Sequence, residues 1–368
     1  MKIGIIGGGI IGSTAAYYLS QSNHQVTLID SGIGQATSAS AGIICPWFSQ
    51  RRNQDWYQLV ADGATFYRQL MQDLSNDGVT QLPFEETGVI VFKRSRQLAE
   101  KLLQMGIERK EATETIGELY LISPEQASQI IPGFETTQFG MYASGGGRVD
   151  GAALVQTLQQ EVLQNNGKVI RGQARLLSLE PHPTLEVNEE TFGFDQLILA
   201  PGAWLGHLLE PFGIQVDIRP QKGELITTTI DADSSQWPVT MLVGESDLIP
   251  TSNGELIIGA SHENDKGFDL TPTTEILEQF LTQGQQFLPS YHIEHATNRI
   301  GTRAYTSDFL PFYGNLPNYD NIYVASGLGS SGLTSGPIIG YHLAQAIIQS
   351  STYLFRTAFN PKRYIQFS

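Results

Sequence analysis

The stretch GGGIIGSTAAYYLSQSNHQVTLID, residues 7–30, decides how this 368-residue chain folds. The apolar segment before it predicts a buried strand over residues 2–7, and the stretch itself predicts a helix over 10–22 and a second strand over 25–30. A glycine-rich turn between a strand and a helix presents backbone N–H groups at a helix N-terminus, where phosphates bind. The stretch therefore predicts a nucleotide-binding β-α-β unit.

Three glycines of the turn, Gly7, Gly9 and Gly12, match the pattern G-x-G-x-x-G of dinucleotide-binding folds. Gly7 permits the tight turn, Gly9 lets the backbone approach a pyrophosphate, and Gly12 lets the helix pack closely on the strand. Asp30 lies eighteen residues beyond Gly12, at the end of the second strand, where a carboxylate accepts hydrogen bonds from a ribose diol. The spacing predicts NAD or FAD, and the alternative is a glycine-rich turn in an ordinary α/β fold.

Composition and charge exclude several classes of protein. A net charge of −15, from 22 basic and 37 acidic residues, repels nucleic acids and anionic lipids. The chain has no run of about 18 apolar residues that could span a membrane, and its N-terminus lacks the basic run and cleavage site of a signal peptide. We therefore expect a cytoplasmic protein with no nucleic-acid partner and no membrane span.

The nucleophilic and metal-ligating side chains form no recognisable cluster in the sequence. Cys45 is the single cysteine, which excludes an internal disulfide and an all-cysteine metal site. His292 and His295 are close in sequence, but a spacing of three in a predicted strand directs their rings to opposite faces. We expect no metal site.

The rest of the chain favours FAD over NAD. After the first unit the chain continues with the small-residue segment TSASAGIICPW (37–47) instead of another β-α-β repeat, and it ends on a second glycine-rich strand, turn and helix that begins NIYVASGLGSSG (321–332). A third strand runs into a glycine turn at LILAPGAW (197–204). The ribityl chain and three-ring system of a flavin need a pocket built from such distant segments.

The expected fold is α/β, with a Rossmann-like FAD-binding domain interleaved with a smaller α+β substrate domain built on an antiparallel or mixed sheet. Nucleotide-type β-α units at the beginning, middle and end of the chain assign 1–80, 145–216 and 300–368 to the FAD-binding domain. The strand-rich insertions 81–144 and 217–299 form the predicted substrate domain.

Seven segments, in order, resemble the FAD-dependent D-amino-acid oxidase superfamily, especially its glycine oxidase and D-amino-acid dehydrogenase branch. They are GIIGGGIIGSTAAYYL, ATSASAGI, GGRVDGAALVQTL, LILAPGAW, RPQKGELI, GTRAYTSDFLPFYG and VASGLGSSGLTSGP. The resemblance implies non-covalent FAD, because Cys45 lies far from the position at which sarcosine oxidases attach their flavin. It also implies a set of cofactor-binding residues: Gly7, Gly9, Ile10, Ile11, Gly12, Asp30, Ser31, Thr37, Ser38, Ala41, Gly42, Ile43, Leu176, Ala200, Gly202, Trp204, Arg303, Gly327, Gly329, Ser330, Ser331, Gly332 and Leu333.

The resemblance places the catalytic end of the site at Arg303 and Tyr305. In relatives that oxidise amino acids, the arginine at this position pairs with the substrate carboxylate, which suits a planar guanidinium. Glycine oxidases have a tyrosine where this chain has Asp247 or a neighbour in ESDLIP, and an arginine where it has Ser330. Tyr305 is one candidate to replace that phenol, and core packing is the other reading of Tyr305.

The function implied is oxidation of an α-amino acid or related amine, of the D-amino acid, glycine or N-methyl glycine type. The product is the imino acid, formed by hydride transfer to flavin N5, and the electron acceptor is oxygen or a quinone. The alternatives are a flavin dehydrogenase of a hydroxy acid or glycerol phosphate, and an RNA-directed use of the same fold. A small-molecule substrate is expected, and a homo-oligomer is left open.

Overall fold

The computed structural model describes residues 1–244, 246–251 and 254–367, without the side chains of residues 294 and 295. The side chain of His295, one half of the histidine pair considered above, thus lies outside the described part of the chain. The α-helices are α1 (Ile10–Ser20), α2 (Gln54–Asn76), α3 (Arg96–Lys110), α4 (Pro124–Ile130), α5 (Gly151–Gln164), α6 (Leu205–Leu209), α7 (Thr274–Phe287) and α8 (Gly332–Ile348).

The β-strands alternate with these helices along the chain. They are β1 (Lys2–Ile6), β2 (Gln25–Asp30), β3 (Ile43–Ile44), β4 (Phe84–Glu85), β5 (Val89–Lys93), β6 (Leu119–Ile122), β7 (Phe139–Ala143), β8 (Gly147–Val149), β9 (Lys168–Arg171), β10 (Arg175–Ser178), β11 (Thr184–Val187), β12 (Glu190–Gly193), β13 (Gln196–Leu199), β14 (Ile214–Val216), β15 (Arg219–Thr229), β16 (Val239–Met241), β17 (Asp247–Pro250), β18 (Glu255–Gly259), β19 (Glu294–Tyr305), β20 (Phe312–Asn315), β21 (Ile322–Ser326) and β22 (Ile365–Phe367).

A six-stranded sheet contains the nucleotide-type units and has the strand order β20-β21-β13-β1-β2-β9. Its strands from β21 to β9 are parallel, and β20 is antiparallel to β21. Strands β1 and β2 are short apolar runs, as expected for parallel strands covered on both faces, and α1 packs against α5 and α8. The predicted β-α-β unit is confirmed, with α1 ending two residues earlier than expected.

An eight-stranded sheet has the order β19-β15-β18-β17-β16-β5-β7-β6. It is mixed, because β16 and β5 are parallel whereas its other neighbours are antiparallel. Helix α7 packs on β15, β18 and β19 and covers one face of this sheet. The α/β class and the second domain on a mixed sheet are therefore as predicted.

The long strand β19 connects the two parts of the molecule. It pairs with β15 from Glu294 to Tyr305, so it continues in the eight-stranded sheet past the domain limit expected at 299–300. Arg299 at its centre donates to the carbonyl of Ser38, 2.7 Å away, and Thr302 N–H donates to Gly34 O at 3.0 Å. Strand β19 thus belongs to the eight-stranded sheet and also contacts the loop that follows β2.

Among the described residues, no helix combines the length and the apolar character that crossing a membrane requires.

Candidate functional site

A cavity of about 1010 Å³ opens at the carboxyl ends of the parallel strands β1, β2, β13 and β21. The eight-stranded sheet forms its opposite wall. Open α/β sheets bind their ligands outside the carboxyl ends of the strands, and this volume lies at the upper end of the range for small-molecule sites. The position and size fit an extended ligand such as a dinucleotide.

The cavity collects nearly all the residues that the sequence predicted to contact FAD. Of that set, only Gly12 and Ser38 do not line it. The predicted residues that line the cavity are Gly7, Gly9, Ile10, Ile11, Asp30, Ser31, Thr37, Ala41, Gly42, Ile43, Leu176, Ala200, Gly202, Trp204, Arg303, Gly327, Gly329, Ser330, Ser331, Gly332 and Leu333.

The first glycine turn has the geometry that a pyrophosphate site needs. Gly7 has a φ of +101°, and a Cβ there would lie 2.3 Å from the carbonyl oxygen of Ala200. At Gly9 the nearest atom to an added Cβ is Thr37 Oγ1 at 3.4 Å, so the backbone is open to a ligand. A Cβ on Gly12 would lie 1.9 Å from Gly7 O, so Gly12 serves helix packing and not the cavity surface.

Asp30 ties this turn together. Its buried carboxylate accepts hydrogen bonds from the N–H groups of Gly8 and Gly32, each at 3.0 Å, and from the Gln35 amide at 2.5 Å. Arg171 Nη1 is a fourth donor, 3.0 Å away, on the exposed side. The sequence analysis missed Arg171, which is recognisable only once β9 is paired with β2.

A second helix N-terminus reaches the same cavity because α8 packs very closely on α1. A Cβ on Gly336 would lie 2.4 Å from Ile10 Cγ2, and one on Gly340 would lie 2.5 Å from Ile11 O. Gly332, Gly336 and Gly340 are spaced by four and share one helix face. The sequence analysis did not use this spacing, which could have indicated the close packing of α8 on α1. The two helix N-termini together provide a positive electrostatic environment for anionic or electron-accepting groups.

The glycine turn before α8 rests on Tyr305. The phenol oxygen of Tyr305 accepts a hydrogen bond from Ser330 N–H at 3.0 Å, and a Cβ on Gly329, with φ +56°, would lie 2.3 Å from the ring. Tyr305 is 5% exposed and does not line the cavity. These contacts favour the core-packing reading of Tyr305, whose ring supports the turn before α8, and a catalytic role of Tyr305 stays a prediction.

Ser38 is half-buried and does not line the cavity. Its hydroxyl donates to the Gln35 side chain at 2.8 Å, and its carbonyl accepts from Arg299. These hydrogen bonds hold the loop against β19, and a contact of Ser38 with FAD stays a prediction.

One face of the eight-stranded sheet forms the wall opposite the nucleotide turn. Residues paired across strands share a face, as do alternate residues along a strand. The register pairs Arg303 with Gln221, Gly301 with Gly223, Leu225 with Gly259, Gly259 with Asp247, and Asp247 with Met241. The cavity-lining members of this face are Arg303, Gly301, Gly223, Leu225, Gly259, Asp247 and Met241.

Arg303 is held in a fixed orientation on this wall. Its Nη1 donates to Gln221 Oε1 at 3.0 Å and to the carbonyl of Ser261 at 2.8 Å. The guanidinium covers Gly223, where an added Cβ would lie 2.7 Å from Cζ. Burial lowers the pKa of Arg303 from its ordinary value, although Tyr305 and Glu263 act in the opposite direction. Among the described residues no carboxylate forms an ion pair with Arg303, so its charge is available to a ligand.

Asp247 is a second ionisable group on the same wall. Its carboxylate accepts a hydrogen bond from Leu242 N–H at 3.1 Å. Burial raises the pKa of Asp247 to about 7, and the hydrogen bond from Leu242 N–H lowers this pKa by a smaller amount. The sequence analysis noted this position only as a departure from glycine oxidases, because a lone aspartate carries no motif.

Cys45 also lines the cavity, and burial raises the pKa of its thiol, so it stays protonated and unreactive. Within the residues that the structure describes, no three histidine, cysteine or carboxylate side chains gather into a group that could hold a metal ion.

Known proteins resemble this chain over almost its whole length. The family model described as FAD dependent oxidoreductase, DAO, matches residues 2–346. The uncharacterized oxidoreductase YurR of Bacillus subtilis (strain 168) is 34% identical over 365 residues, covering 97% of both chains. Glycine oxidase of Pseudomonas aeruginosa is 26% identical, with 91% of this chain and 92% of the relative covered. The crystal structure of iminodiacetate oxidase (IdaA) from Chelativorans sp. BNC1 has a TM-score of 0.91 at 26% identity and covers 98% of each chain.

These similarities agree with the geometry of the cavity. The resemblance drawn from seven sequence segments is confirmed, and so is FAD as the cofactor. With two glycine turns and two helix N-termini directed at one cavity, the chain belongs to the DAO family of FAD dependent oxidoreductases.

Proposed function

We propose that this protein oxidises an α-amino acid or a related amine, of the D-amino acid, glycine or N-methyl glycine type, to the imino acid. The observation that carries the proposal is Arg303, a partly buried guanidinium on the cavity wall with which no carboxylate of the described residues forms an ion pair. A planar guanidinium in such a position suits the carboxylate of a small substrate. Oxygen and a quinone are the candidate electron acceptors.

The cavity residues fit FAD. The bare backbone at Gly9 and the N-terminus of α1 would hold the pyrophosphate, and Asp30 would accept from the ribose diol in place of the exposed Arg171. The α8 N-terminus at Gly332 and Leu333 would face the flavin ring. When bound, FAD supplies the two-electron acceptor, and the protein supplies position and electrostatics. We propose non-covalent attachment, because the single cysteine is a protonated thiol; acid precipitation should release all the yellow colour, and colour left on the pellet would contradict it.

Arg303 would fix the substrate by its carboxylate. Gln221 and the Ser261 carbonyl hold one guanidinium nitrogen, which leaves the other two nitrogens for a substrate on the cavity side. Because the guanidinium is partly buried, water competes weakly with that substrate and the ion pair is strengthened. The arrangement orients the substrate α-carbon before any chemistry begins, which is a large part of what a flavoenzyme of this kind must provide.

The relatives support an amine-bearing carboxylate as the substrate class. Glycine oxidase and iminodiacetate oxidase are each named for a compound with both an amine nitrogen and a carboxylate. The net charge of −15 argues against an RNA-directed use of the fold, and we propose a cytoplasmic enzyme without a nucleic-acid partner.

The test is Arg303→Ala, with Arg303→Lys and the exposed Arg96→Ala as comparisons. Breaking a buried ion pair costs about 3–5 kcal/mol, which corresponds to a loss of about two to three and a half decades in kcat/KM. Lysine should restore only part, because an ammonium lacks the two-pronged geometry. FAD should remain bound in all three variants, since its proposed contacts lie mainly in the glycine turns.

Benzoate, a carboxylate without an amine, separates the anchor from a structural arginine. A carboxylate bound beside the flavin should perturb the flavin spectrum, so the titration needs no turnover. Arg303→Ala should shift the titration to much higher benzoate concentration, whereas Arg96→Ala should not. If Arg303→Ala responds at the concentration of the parent, Arg303 does not bind the carboxylate.

A further inference from the structure

We propose that Asp247 receives the amino group of the substrate, binds it as an ammonium and accepts one of its protons, so that the neutral amine is presented for oxidation. In this step an N–H bond of the ammonium breaks and an O–H bond forms on Asp247, with no change in oxidation state. The inference rests on the proposed function, because it names the partner of the second charged end of the substrate that Arg303 binds.

The sheet register places Asp247 and Arg303 on the same cavity wall. Arg303 lies on the edge strand β19, and its guanidinium extends over Gly223 of the neighbouring strand β15. Leu225, two residues along β15, pairs with Gly259, which pairs with Asp247. Both charged groups therefore lie on the same face of the sheet and line the same cavity.

Their separation suits a substrate with two charged ends. Two strand spacings of about 4.8 Å and two residues of about 3.3 Å each separate the Cα positions of Gly223 and Asp247 by roughly 12 Å. The Asp247 carboxylate turns toward Leu242 N–H, on the side of β17 away from Arg303, so the guanidinium and the carboxylate stay on the order of 12 Å apart. An α-amino acid held by Arg303 reaches Asp247 when one water bridges its amine and the carboxylate, with hydrogen bonds of about 2.9 Å.

The Asp247 carboxylate has few hydrogen-bond donors around it among the described residues. Leu242 N–H is its hydrogen-bond donor among the described residues, and a carboxylate can accept about four hydrogen bonds. The other ionisable groups of this wall are His262 and Arg303, and the remaining charged or titratable cavity residues are Asp30, Cys45, Arg51, Arg175, Glu186 and His207. A substrate cation would supply the missing partner.

Burial explains why such a carboxylate can also act as a base. It raises the pKa of Asp247 to about 7, so that the group is poised to take a proton near neutral pH. A hydroxy acid brings no cation to this carboxylate and would leave its charge buried without a partner. Asp247 would thus select amines over hydroxy acids, which share the carboxylate that Arg303 binds.

The test compares Asp247→Asn with Asp233→Asn, which removes an exposed carboxylate of the same domain. FAD-loaded proteins are mixed anaerobically with an amino acid that bleaches the parent, and the rate of flavin reduction is followed across pH. Asp247→Asn should slow reduction at limiting substrate by about 10- to 100-fold and lose the rise of rate with pH near neutrality. Asp247→Glu should recover part of the rate, and Asp233→Asn should match the parent.

Benzoate again provides a readout that does not depend on the amine. Asp247→Asn should bind it as tightly as the parent or more tightly, because a negative charge has been removed from the cavity. An unchanged rate and pH profile in Asp247→Asn would overturn the role of Asp247. So would a loss of benzoate binding or of FAD as large as the loss of rate, because it would show a structural defect. If no amine bleaches the flavin of the parent protein, the proposed function itself is wrong. That outcome differs from the two outcomes that concern only Asp247.

Discussion

Replacing Gly223 by alanine should displace the Arg303 guanidinium without removing its charge. A Cβ at position 223 would lie 2.7 Å from Cζ of Arg303 and 2.8 and 2.9 Å from its terminal nitrogens. These atoms are the far end of a flexible side chain, so the arginine moves and the backbone does not. Its hydrogen bonds to Gln221 and Ser261 O, at 3.0 and 2.8 Å, would then be lost or lengthened.

The expected effect is large on catalysis and small on stability. A misplacement of about 1 Å in a substrate-orienting group costs up to about a hundredfold in rate, so kcat/KM should fall about 10- to 100-fold, mainly through KM. Gly223 does not have a left-handed φ, so alanine fits the backbone, and the free energy of unfolding should change by less than about 1 kcal/mol.

The assay measures flavin reduction at limiting amino acid, with FAD content and Tm determined on the same samples. Gly193→Ala is the matched control, because Gly193 also lies in a strand and an added Cβ there meets nothing within 4 Å. An unchanged kcat/KM in Gly223→Ala would refute the reasoning, since the guanidinium could not then be oriented by this glycine. A loss of FAD or a collapse of Tm would equally show that the clash is relieved by the sheet and not by Arg303.

Three further variants test other contacts. Tyr305→Phe removes the acceptor of Ser330 N–H. The lost hydrogen bond, about 1 kcal/mol, should raise the dissociation constant of FAD about fivefold and leave benzoate binding unchanged. A loss of benzoate binding alone would indicate that Tyr305 contacts the substrate. Asp30→Ala should weaken FAD binding by about 1.5–3 kcal/mol, measured by equilibrium dialysis, and equal affinity would remove Asp30 from the ribose site. Asp247→Asn should raise the free energy of unfolding of the FAD-free protein by up to about 4 kcal/mol. Because folding raises the pKa of Asp247 from an ordinary 3.8 to about 7, the gain in stability should grow with pH over that interval. A gain that does not depend on pH would contradict this prediction.

The nucleotide half of the molecule was predictable because its signals are local. The turn at Gly7 to Gly12, the strand ending at Asp30 and the glycine run before α8 each combine a turn requirement with a neighbouring strand and helix. Such features depend on a few adjacent residues, so the sequence alone indicated the fold class and the glycine turns that line the nucleotide end of the cavity.

The substrate wall was less predictable because it depends on strand register. Asp247 carries no motif, and only its pairing with Gly259 and then Leu225 places it on the face of Arg303. Tyr305 was one candidate for a substrate contact because it lies beside Arg303 in the sequence, and core packing was the other reading. The turn at Gly329 covers its ring, and no local pattern reveals that contact.

Anaerobic bleaching of the FAD-loaded protein tests the central claim most directly. The panel holds D- and L-amino acids, glycine, N-methyl glycine, 2-hydroxy acids and glycerol phosphate, each mixed with the protein in the absence of oxygen. We predict that at least one amino acid or related amine removes the yellow flavin absorbance, while the hydroxy acids and glycerol phosphate leave it unchanged. Bleaching by a hydroxy acid or glycerol phosphate with none by any amine would contradict the account.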